Sequence, residues 1–214
     1  MSGFTGIDRE RARSEILSFD DAACHALVVC HNTLDRFFSV LAEEWASPIA
    51  KAYTEKVEKD EEKLFNSYWN ELEHIISGAY KAANHLLNSN GEEPLAEQRN
   101  NGNYIFMLFP FHLFTCKDSN DGKVGMGNGV RIALDMFKTQ YVSALDYIDD
   151  LPEGISFYDP NDKLLTTYNN NLKEFKQKYK ELFDYVAKKM DEHIKNEADK
   201  IEIAKERAVD TLAS

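Results

Sequence analysis

Apolar side chains recur every three or four residues through most of the chain, and this spacing places them on one face of an α-helix. Four such stretches cover residues 8–45, 48–88, 130–151 and 165–194. Within each stretch the alternation of three and four is the heptad repeat, which is typical of helices that pack lengthwise against one another. The spacing therefore predicts four long helices and an all-α fold.

Capping residues predict where the first two helices begin and end. Asp8, followed by a charged first turn, is a good cap for the first helix. Ser47-Pro48 predicts the start of the second helix, because serine is a favoured N-cap and proline at the first helical position gives up only an N–H without a helical partner. Gly91, just beyond Asn88, suits the left-handed conformation that follows many helices. These signals predict a helix, a tight turn and a second helix.

The second half of the chain repeats this order of signals. A proline after Leu151 ends its first helix, and Asp159-Pro160 then starts the next one. Trp45 and Phe157 each lie two residues before the residue that caps the following helix. The two halves therefore share an architecture of helix, aromatic turn and helix.

These elements predict two long antiparallel helical hairpins, at residues 1–90 and 130–214, joined by an irregular connection at residues 91–129. Each hairpin has one apolar seam, and packing the hairpins together as a four-helix bundle buries both seams. A lone hairpin would expose its seam and dimerise, so the tandem chain is expected to fold as a monomer without a second chain. Weak self-association would then come through the apolar segment Tyr104–Cys116 or the charged C-terminal continuation of the last helix.

The connection between the hairpins breaks the helical pattern. It is polar and rich in turn residues except for Tyr104–Cys116, whose sequence is compatible with a strand or a helix. This segment either packs on the bundle or forms an exposed apolar patch that binds a partner. The glycine-rich residues 125–129, just before the third helix, are compatible with a flexible hinge or with an anion-binding helix start.

Composition narrows the class of partner. A net charge of -12 and a pI near 5.0 argue against nucleic acid and anionic membranes, which bind surfaces with an excess of Lys and Arg. The longest apolar run, Tyr104–Cys116, has about 13 residues, whereas a membrane-spanning helix needs roughly 20. The first residues lack the basic and apolar regions of a Sec signal. We expect a cytoplasmic protein that, if exported, leaves without cleavage of a signal peptide.

The sequence shows no constellation typical of an enzyme, and we expect neither catalysis nor a cofactor. Its three cysteines lack the even number and dense spacing of a disulfide framework. The alternative is a metal-binding bundle of the ferritin-like kind, since Glu71 and His74 lie three residues apart on one predicted helix. His25, His31 and Glu43 are the further ligands that this alternative offers.

A tryptophan in a tight turn between two long, heptad-patterned helices resembles the WXG family, small helical hairpins exported by type VII (ESX) secretion systems. The opening Gly3–Asp8 before an amphipathic helix, and Trp45 at the end of that helix, carry the resemblance, while Ser47 takes the place of the family glycine. The resemblance covers residues 4–88 best and residues 130–195 more loosely. Family members are about half as long, so the chain resembles two members in tandem.

The resemblance implies a non-enzymatic protein that acts in type VII secretion as a substrate, adaptor or partner. Such hairpins recognise other proteins through their surfaces, so a protein partner is expected, either the secretion machinery or a co-secreted protein. The residues to which the resemblance points are those of the two turns: Trp45, Ser47, Pro48, Phe157 and Tyr158.

Overall fold

The computed structural model describes residues 8–99, 113–151, 155–157 and 163–213, without the side chains of 164–169, 171, 172 and 213. The elements, in chain order, are α1 (Arg9–Glu44), β1 (Trp45–Ala46), α2 (Pro48–Ser89), β2 (Gly125–Met126), α3 (Gly129–Asp149) and α4 (Lys163–Ala213). Four long helices dominate this part of the chain, so the predicted all-α fold is confirmed. The pairing of the helices as two hairpins stays a prediction.

The helix ends follow the predicted caps. The backbone N–H of Arg11 donates to Asp8 Oδ1 at 2.7 Å at the start of α1. At the start of α2 the N–H of Ala50 donates to Ser47 Oγ at 3.0 Å, which is the N-cap hydrogen bond expected of serine. Beyond the end of α2, Gly91 has a φ of 75°, the left-handed conformation that glycine adopts without steric cost. Local chemistry therefore sets these boundaries.

The chain divides into two compact units. Unit 1 contains residues 1–31, 62–111 and 143–179, and unit 2 contains residues 32–61, 112–142 and 180–214. Each of the four helices contributes one part to unit 1 and one part to unit 2. The predicted domains are consecutive stretches of the chain. Each of these units instead combines three separate stretches that contact one another.

In unit 1 the predicted apolar seams are buried. Cys30 Sγ of α1 donates to the carbonyl oxygen of Ala144 of α3 at 3.6 Å, so these helices lie against each other. Tyr68 of α2 meets Phe175 of α4 edge-on, with ring centroids 5.0 Å apart. The large buried side chains of this unit include Ile16, Phe19, Leu27, Phe65, Leu72, Ile76, Tyr80, Ile148 and Tyr179.

Asp20 interrupts the apolar seam of α1, and a buried ion pair explains its presence. The Asp20 side chain is 0% exposed and the Arg99 side chain 14% exposed. Arg99 donates from Nη2 to Asp20 Oδ1 at 2.8 Å and from Nε to Asp20 Oδ2 at 3.1 Å. Its Nη1 donates to Glu73 Oε1 at 2.6 Å, and Cys24 Sγ donates to Asp20 Oδ1 at 3.6 Å. The bidentate guanidinium supplies the charge and hydrogen bonds that a buried carboxylate needs.

The segment that follows α2 runs back along that helix. Asn84 Nδ2 donates to the carbonyl oxygen of Leu95 at 3.0 Å, and the Leu95 N–H donates to Asn84 Oδ1 at 2.6 Å. Tyr80 lies about one helical turn before Asn84 on α2, and its OH donates to the carbonyl oxygen of Gln98 at 2.9 Å. These contacts align the segment so that its next residue reaches the buried carboxylate of α1.

Aromatic rings form much of the core of unit 2. Phe37 of α1 stacks on Phe137 of α3 with centroids 4.9 Å apart, and Phe137 meets Phe183 of α4 edge-on at 5.6 Å. Tyr53 of α2 donates its hydroxyl hydrogen to the carbonyl oxygen of Val186 of α4 at 3.1 Å. Parts of all four helices therefore meet around one core. Other fully buried apolar residues of this unit include Leu34, Phe38, Leu41, Val57 and Met190.

The end of the predicted apolar segment Tyr104–Cys116 packs within unit 2. Leu113 and Cys116 are buried, whereas Phe114 is 53% exposed. The backbone N–H of Cys116 donates to Thr54 Oγ1 of α2 at 3.3 Å, and no strand or helix is assigned to this end of the segment. The preceding residues, 104–112, lie outside the described residues, so the choice between a packed and an exposed segment stays open for them.

The charged continuation of the last helix is helical to Ala213. Every side chain from residue 198 to residue 212 is exposed, including Ile201 and Leu212. Within the ranges that the structure describes, no helix is both long enough and apolar enough to cross a membrane.

Candidate interaction site at the Trp45 turn

The turn between α1 and α2 is held by a short strand pairing. Trp45 and Ala46 form β1, which pairs antiparallel with β2, so that Trp45 lies opposite Met126 and Ala46 opposite Gly125. These partners are about eighty residues apart in the sequence, and each strand has two residues. Neither strand carries a periodic signal, which is why the sequence predicted only a tight turn here.

The indole of Trp45 is enclosed by rings from α2 and α4. Trp45 is 2% exposed, and its ring centroid lies 6.0 Å from that of Tyr53 and 5.1 Å from that of His193. Tyr53 also contacts His193 at 5.5 Å and Tyr185 at 6.3 Å. The indole Nε1 is buried, and no described residue accepts a hydrogen bond from it. Trp45 is therefore held by apolar packing.

Ser47-Pro48 starts α2 and also anchors the connection that returns toward the turn. Ser47 donates its backbone N–H to the carbonyl oxygen of Lys117 at 3.0 Å, in addition to capping α2 through its hydroxyl. One turn along α2, Lys51 forms an exposed ion pair with Asp118 at 3.3 Å. Pro48 is exposed and Ser47 is buried. The predicted turn residues thus form a junction between α2 and the end of the connection.

The glycine-rich residues before α3 are shaped by Glu44 at the end of α1. The N–H of Gly127 donates to the backbone oxygen of Glu44 at 2.6 Å. A Cβ built on Gly127 would clash with Glu44 Oε2, and one built on Gly129 would lie 3.0 Å from Glu44 Cδ. The side-chain carboxylate of Glu44 therefore lies where α3 begins, a position that favours negative charge. The negative charge next to the start of α3 is therefore that of the Glu44 side chain.

The second predicted turn is described only in part. Phe157 is half-buried and belongs to unit 1. Its neighbour Ser156 donates from its backbone nitrogen and its hydroxyl to Glu15 Oε2, at 3.2 and 2.5 Å. Tyr158 lies outside the described residues. The interaction role predicted for Phe157 and Tyr158 therefore stays a prediction, whereas the Trp45 turn is described at every residue.

The three thiols are buried, and burial raises the pKa of two of them. Burial raises the pKa of Cys116 to about 11, and it raises the pKa of Cys24 further, with the nearby Asp20 adding to the shift. Cys30 is fully buried and donates to a backbone oxygen of α3. A thiol needs its thiolate form to act as a nucleophile or a metal ligand. These cysteines therefore pack as small apolar side chains.

The residues proposed as metal ligands lie in different environments. His74 and His25 are exposed, and the ring of His25 lies 5.2 Å from that of Tyr147. His31 is buried with its ring 6.3 Å from that of Phe65. No group of three or more His, Cys, Asp or Glu side chains is placed to hold a metal ion in the described ranges. The metal-binding alternative stays a prediction without a supporting contact.

His193 is the titratable group that touches the Trp45 ring. Burial lowers the pKa of His193 from its usual 6.5, Lys189 lowers it further, and Glu192 and Glu197 raise it. Since the folded-state pKa lies below that of the unfolded chain, the stabilisation from the neutral imidazole is complete above about pH 6.5. It is lost as the pH falls through the folded-state pKa.

We expect His193→Gln to remove this part of the pH dependence of stability. The free energy of unfolding of the unsubstituted chain should fall between about pH 7.5 and pH 5.5, and the fall should be smaller in the variant. Urea titrations followed by far-UV circular dichroism measure both slopes. His74→Gln, at an exposed position, is the matched control and should keep the original slope. Equal slopes in all three proteins would contradict the prediction.

No protein-family model, curated protein or solved structure matches this chain. Its function is therefore inferred from its residues and from the geometry of the turn.

Proposed function

We propose that the chain is a non-enzymatic protein-interaction bundle of the type VII secretion kind, acting as a substrate, adaptor or partner of the secretion machinery. The observation that carries the proposal is the buried Trp45 at the junction of two helices of 36 and 42 residues. Ser47 caps the second helix with its hydroxyl, so it fulfils a local role at the place of the family glycine. This arrangement of tryptophan, turn and long helices supports the resemblance to the WXG family.

The surface around the turn supports a binding role. Trp45 is buried and held by packing, so partners would meet the residues around it and not the indole itself. Pro48 is exposed, Ile49 is 51% exposed at the start of α2, and Val124 is 66% exposed just before β2. These exposed apolar side chains around the turn are suited to contact with a protein partner.

The chemistry of the described residues favours binding over catalysis. Efficient nucleophilic catalysis needs an activated nucleophile, and the thiols at Cys24 and Cys116 have raised pKa values instead. The buried pair of Asp20 and Arg99 is bidentate and internal, so it holds the fold together. A protein that acts by recognition needs neither group to be reactive.

Export of the chain itself tests the substrate role. Export of another type VII substrate, measured with and without this chain, tests the adaptor role. An epitope-tagged chain would be expressed in a bacterium with a type VII system, with or without its membrane ATPase. A substrate or co-secreted partner should accumulate in the culture filtrate only when the ATPase is present. An adaptor should stay in the cell, and deletion of its gene should reduce export of another type VII substrate.

The control for export is a cytoplasmic marker protein, whose release measures lysis. The proposal is contradicted if the chain is distributed identically in both strains and if deletion of its gene leaves type VII export unchanged. Export that depends on the ATPase supports the role of a substrate or co-secreted partner. Reduced export of another substrate after deletion of the gene supports the adaptor role.

A further inference from the structure

The end of α4, residues 192–213, has few contacts with the rest of unit 2. Every side chain from residue 198 to residue 212 is exposed, whereas Met190, just before this end, is fully buried. In the part of the chain that the structure describes, no ion pair or side-chain hydrogen bond joins residues 192–210 to another helix or strand. The ring of His193 contacts those of Trp45 at 5.1 Å and Tyr53 at 5.5 Å. The imidazole is therefore the group through which this end reaches the Trp45 turn.

Such an end can leave its place without unfolding the rest of the chain. Segments with few buried contacts open locally at a much lower free energy than the whole fold. Opening beyond Asp191 breaks the contacts of His193 and of the half-buried Ile194, and it leaves Met190 and the other buried residues of unit 2 in place. Because the free energy of this opening is small, a change at one side chain shifts the balance between the attached and the released end.

His193 is the group in this contact whose charge changes near neutral pH. Burial is the largest cause of its lowered pKa, and burial is lost when the end of α4 leaves the turn. The other elements present the indole of Trp45 and the phenol of Tyr53, and burial raises the pKa of Tyr53 well above its usual 10. Both rings are therefore uncharged at neutral and acid pH. The charged groups that act on the imidazole are all on α4 and stay beside it if the end is released as a helix: Lys189, Glu192, Glu197 and Lys200.

We propose that protonation of His193 releases the end of α4 from the Trp45 turn while the rest of unit 2 stays folded. The released imidazole has the ordinary pKa of about 6.5 and the attached one a lower pKa, so a fall in pH favours the released form. Release uncovers the indole of Trp45, which is 2% exposed while the end is attached. Acid pH thereby changes the surface of the turn as well as the stability of the chain. The device operates whether or not the chain acts in secretion.

Amide hydrogen exchange of the full chain, measured by mass spectrometry, locates the release. After correction for the intrinsic effect of pH on exchange, peptides that cover residues 188–200 should lose about threefold or more of their protection between pH 7.5 and pH 5.5. Peptides that cover Leu134 and Phe137, in the core of α3, should change by less than about 1.5-fold. Equal losses in both sets of peptides would mean that the whole fold weakens, and constant protection of residues 188–200 would mean that the end stays attached. Either result overturns the proposal.

Two substitutions at His193 separate its titration from its packing. His193→Phe keeps an aromatic ring at this position and His193→Gln removes the ring, and neither side chain takes up a proton in this range of pH. In both variants the protection of residues 188–200 should be the same at pH 7.5 and pH 5.5. His74→Gln, at an exposed position of α2, is the matched control and should keep the loss of the unsubstituted chain. A pH-dependent loss that persists in His193→Phe would show that another group causes the release.

Fluorescence reports whether release uncovers the turn. The chain has two tryptophans, so Trp69→Phe leaves the indole of Trp45 as its only tryptophan emitter. In this background, quenching by acrylamide should rise about twofold or more between pH 7.5 and pH 5.5, and adding His193→Phe should abolish the rise. Far-UV circular dichroism checks that each variant keeps the helix content of the chain. Quenching that does not change with pH would overturn the proposal, because the indole would then stay covered.

Discussion

Replacing Arg99 by alanine is expected to lower the free energy of unfolding by about 3–5 kcal/mol. The substitution strands the carboxylate of Asp20, which is 0% exposed and takes two hydrogen bonds from the guanidinium. A buried carboxylate that loses its charged partner bears the cost of desolvation without compensation. Denaturant unfolding followed by circular dichroism measures the loss. A change below about 1 kcal/mol would show that the pair is hydrated and not buried.

The control for Arg99→Ala is an arginine in an exposed pair. Arg11 forms an i,i+4 ion pair with Glu15 at 2.9 Å, with 72% of the Arg11 side chain exposed. Arg11→Ala should cost about 0.5 kcal/mol or less, because solvent screens such pairs. The double variant Asp20→Leu with Arg99→Met removes both charges and should recover most of the stability that Arg99→Ala loses.

The helices could be predicted because their signals are local. The heptad spacing of α1 and α2 and the caps at Asp8, Ser47 and Gly91 lie within a few residues of the structure they determine. Hydrogen bonds within a helix join residues four apart, so sequence patterns in a short window record them. The predicted ends of α1 and α2 therefore fall within one residue of the observed ones.

The contacts between distant segments could not be predicted. Asp20 interrupts the apolar seam of α1, and its partner Arg99 lies 79 residues further on. Many other Lys and Arg side chains could have paired with Asp20, and a single sequence does not show which of them does. The same holds for the glycine-rich residues before α3. Only the structure places the exposed carboxylate of Glu44 against Gly127, where an added Cβ would displace the end of that side chain.

The sequence pattern singled out residues of the candidate site but not the side chains that surround them. Trp45 was singled out by its position between two helices. In the structure it is buried, and its ring contacts those of Tyr53 and His193. The contact between His193 and Trp45 could not be predicted, because it joins residues far apart in the chain. Aromatic residues at helical spacing reveal that a face is buried but not which rings will meet.

Replacing Trp45 by alanine is expected to lower the free energy of unfolding by about 3–5 kcal/mol, since it removes a fully enclosed indole. The cavity would open between Tyr53 and His193, whose rings now contact the indole at 6.0 and 5.1 Å. Trp69→Ala is the matched control, because Trp69 is half-buried and stacks on Phe65 at 5.9 Å. It should cost about 1–2 kcal/mol less than Trp45→Ala. Denaturant unfolding of both variants measures the difference, and equal losses would contradict a special role for the turn.

Trp45→Phe separates packing from hydrogen bonding at the same position. The indole Nε1 is buried and has no acceptor among the described residues, so phenylalanine loses volume but no hydrogen bond. The expected cost is about 1–2 kcal/mol, well below that of Trp45→Ala, because most of the apolar contact with Tyr53 remains. If phenylalanine were as destabilising as alanine, a hydrogen bond from Nε1 would have to carry the stability of the turn. Apolar enclosure by α2 and α4 would then be the wrong explanation for the burial of Trp45.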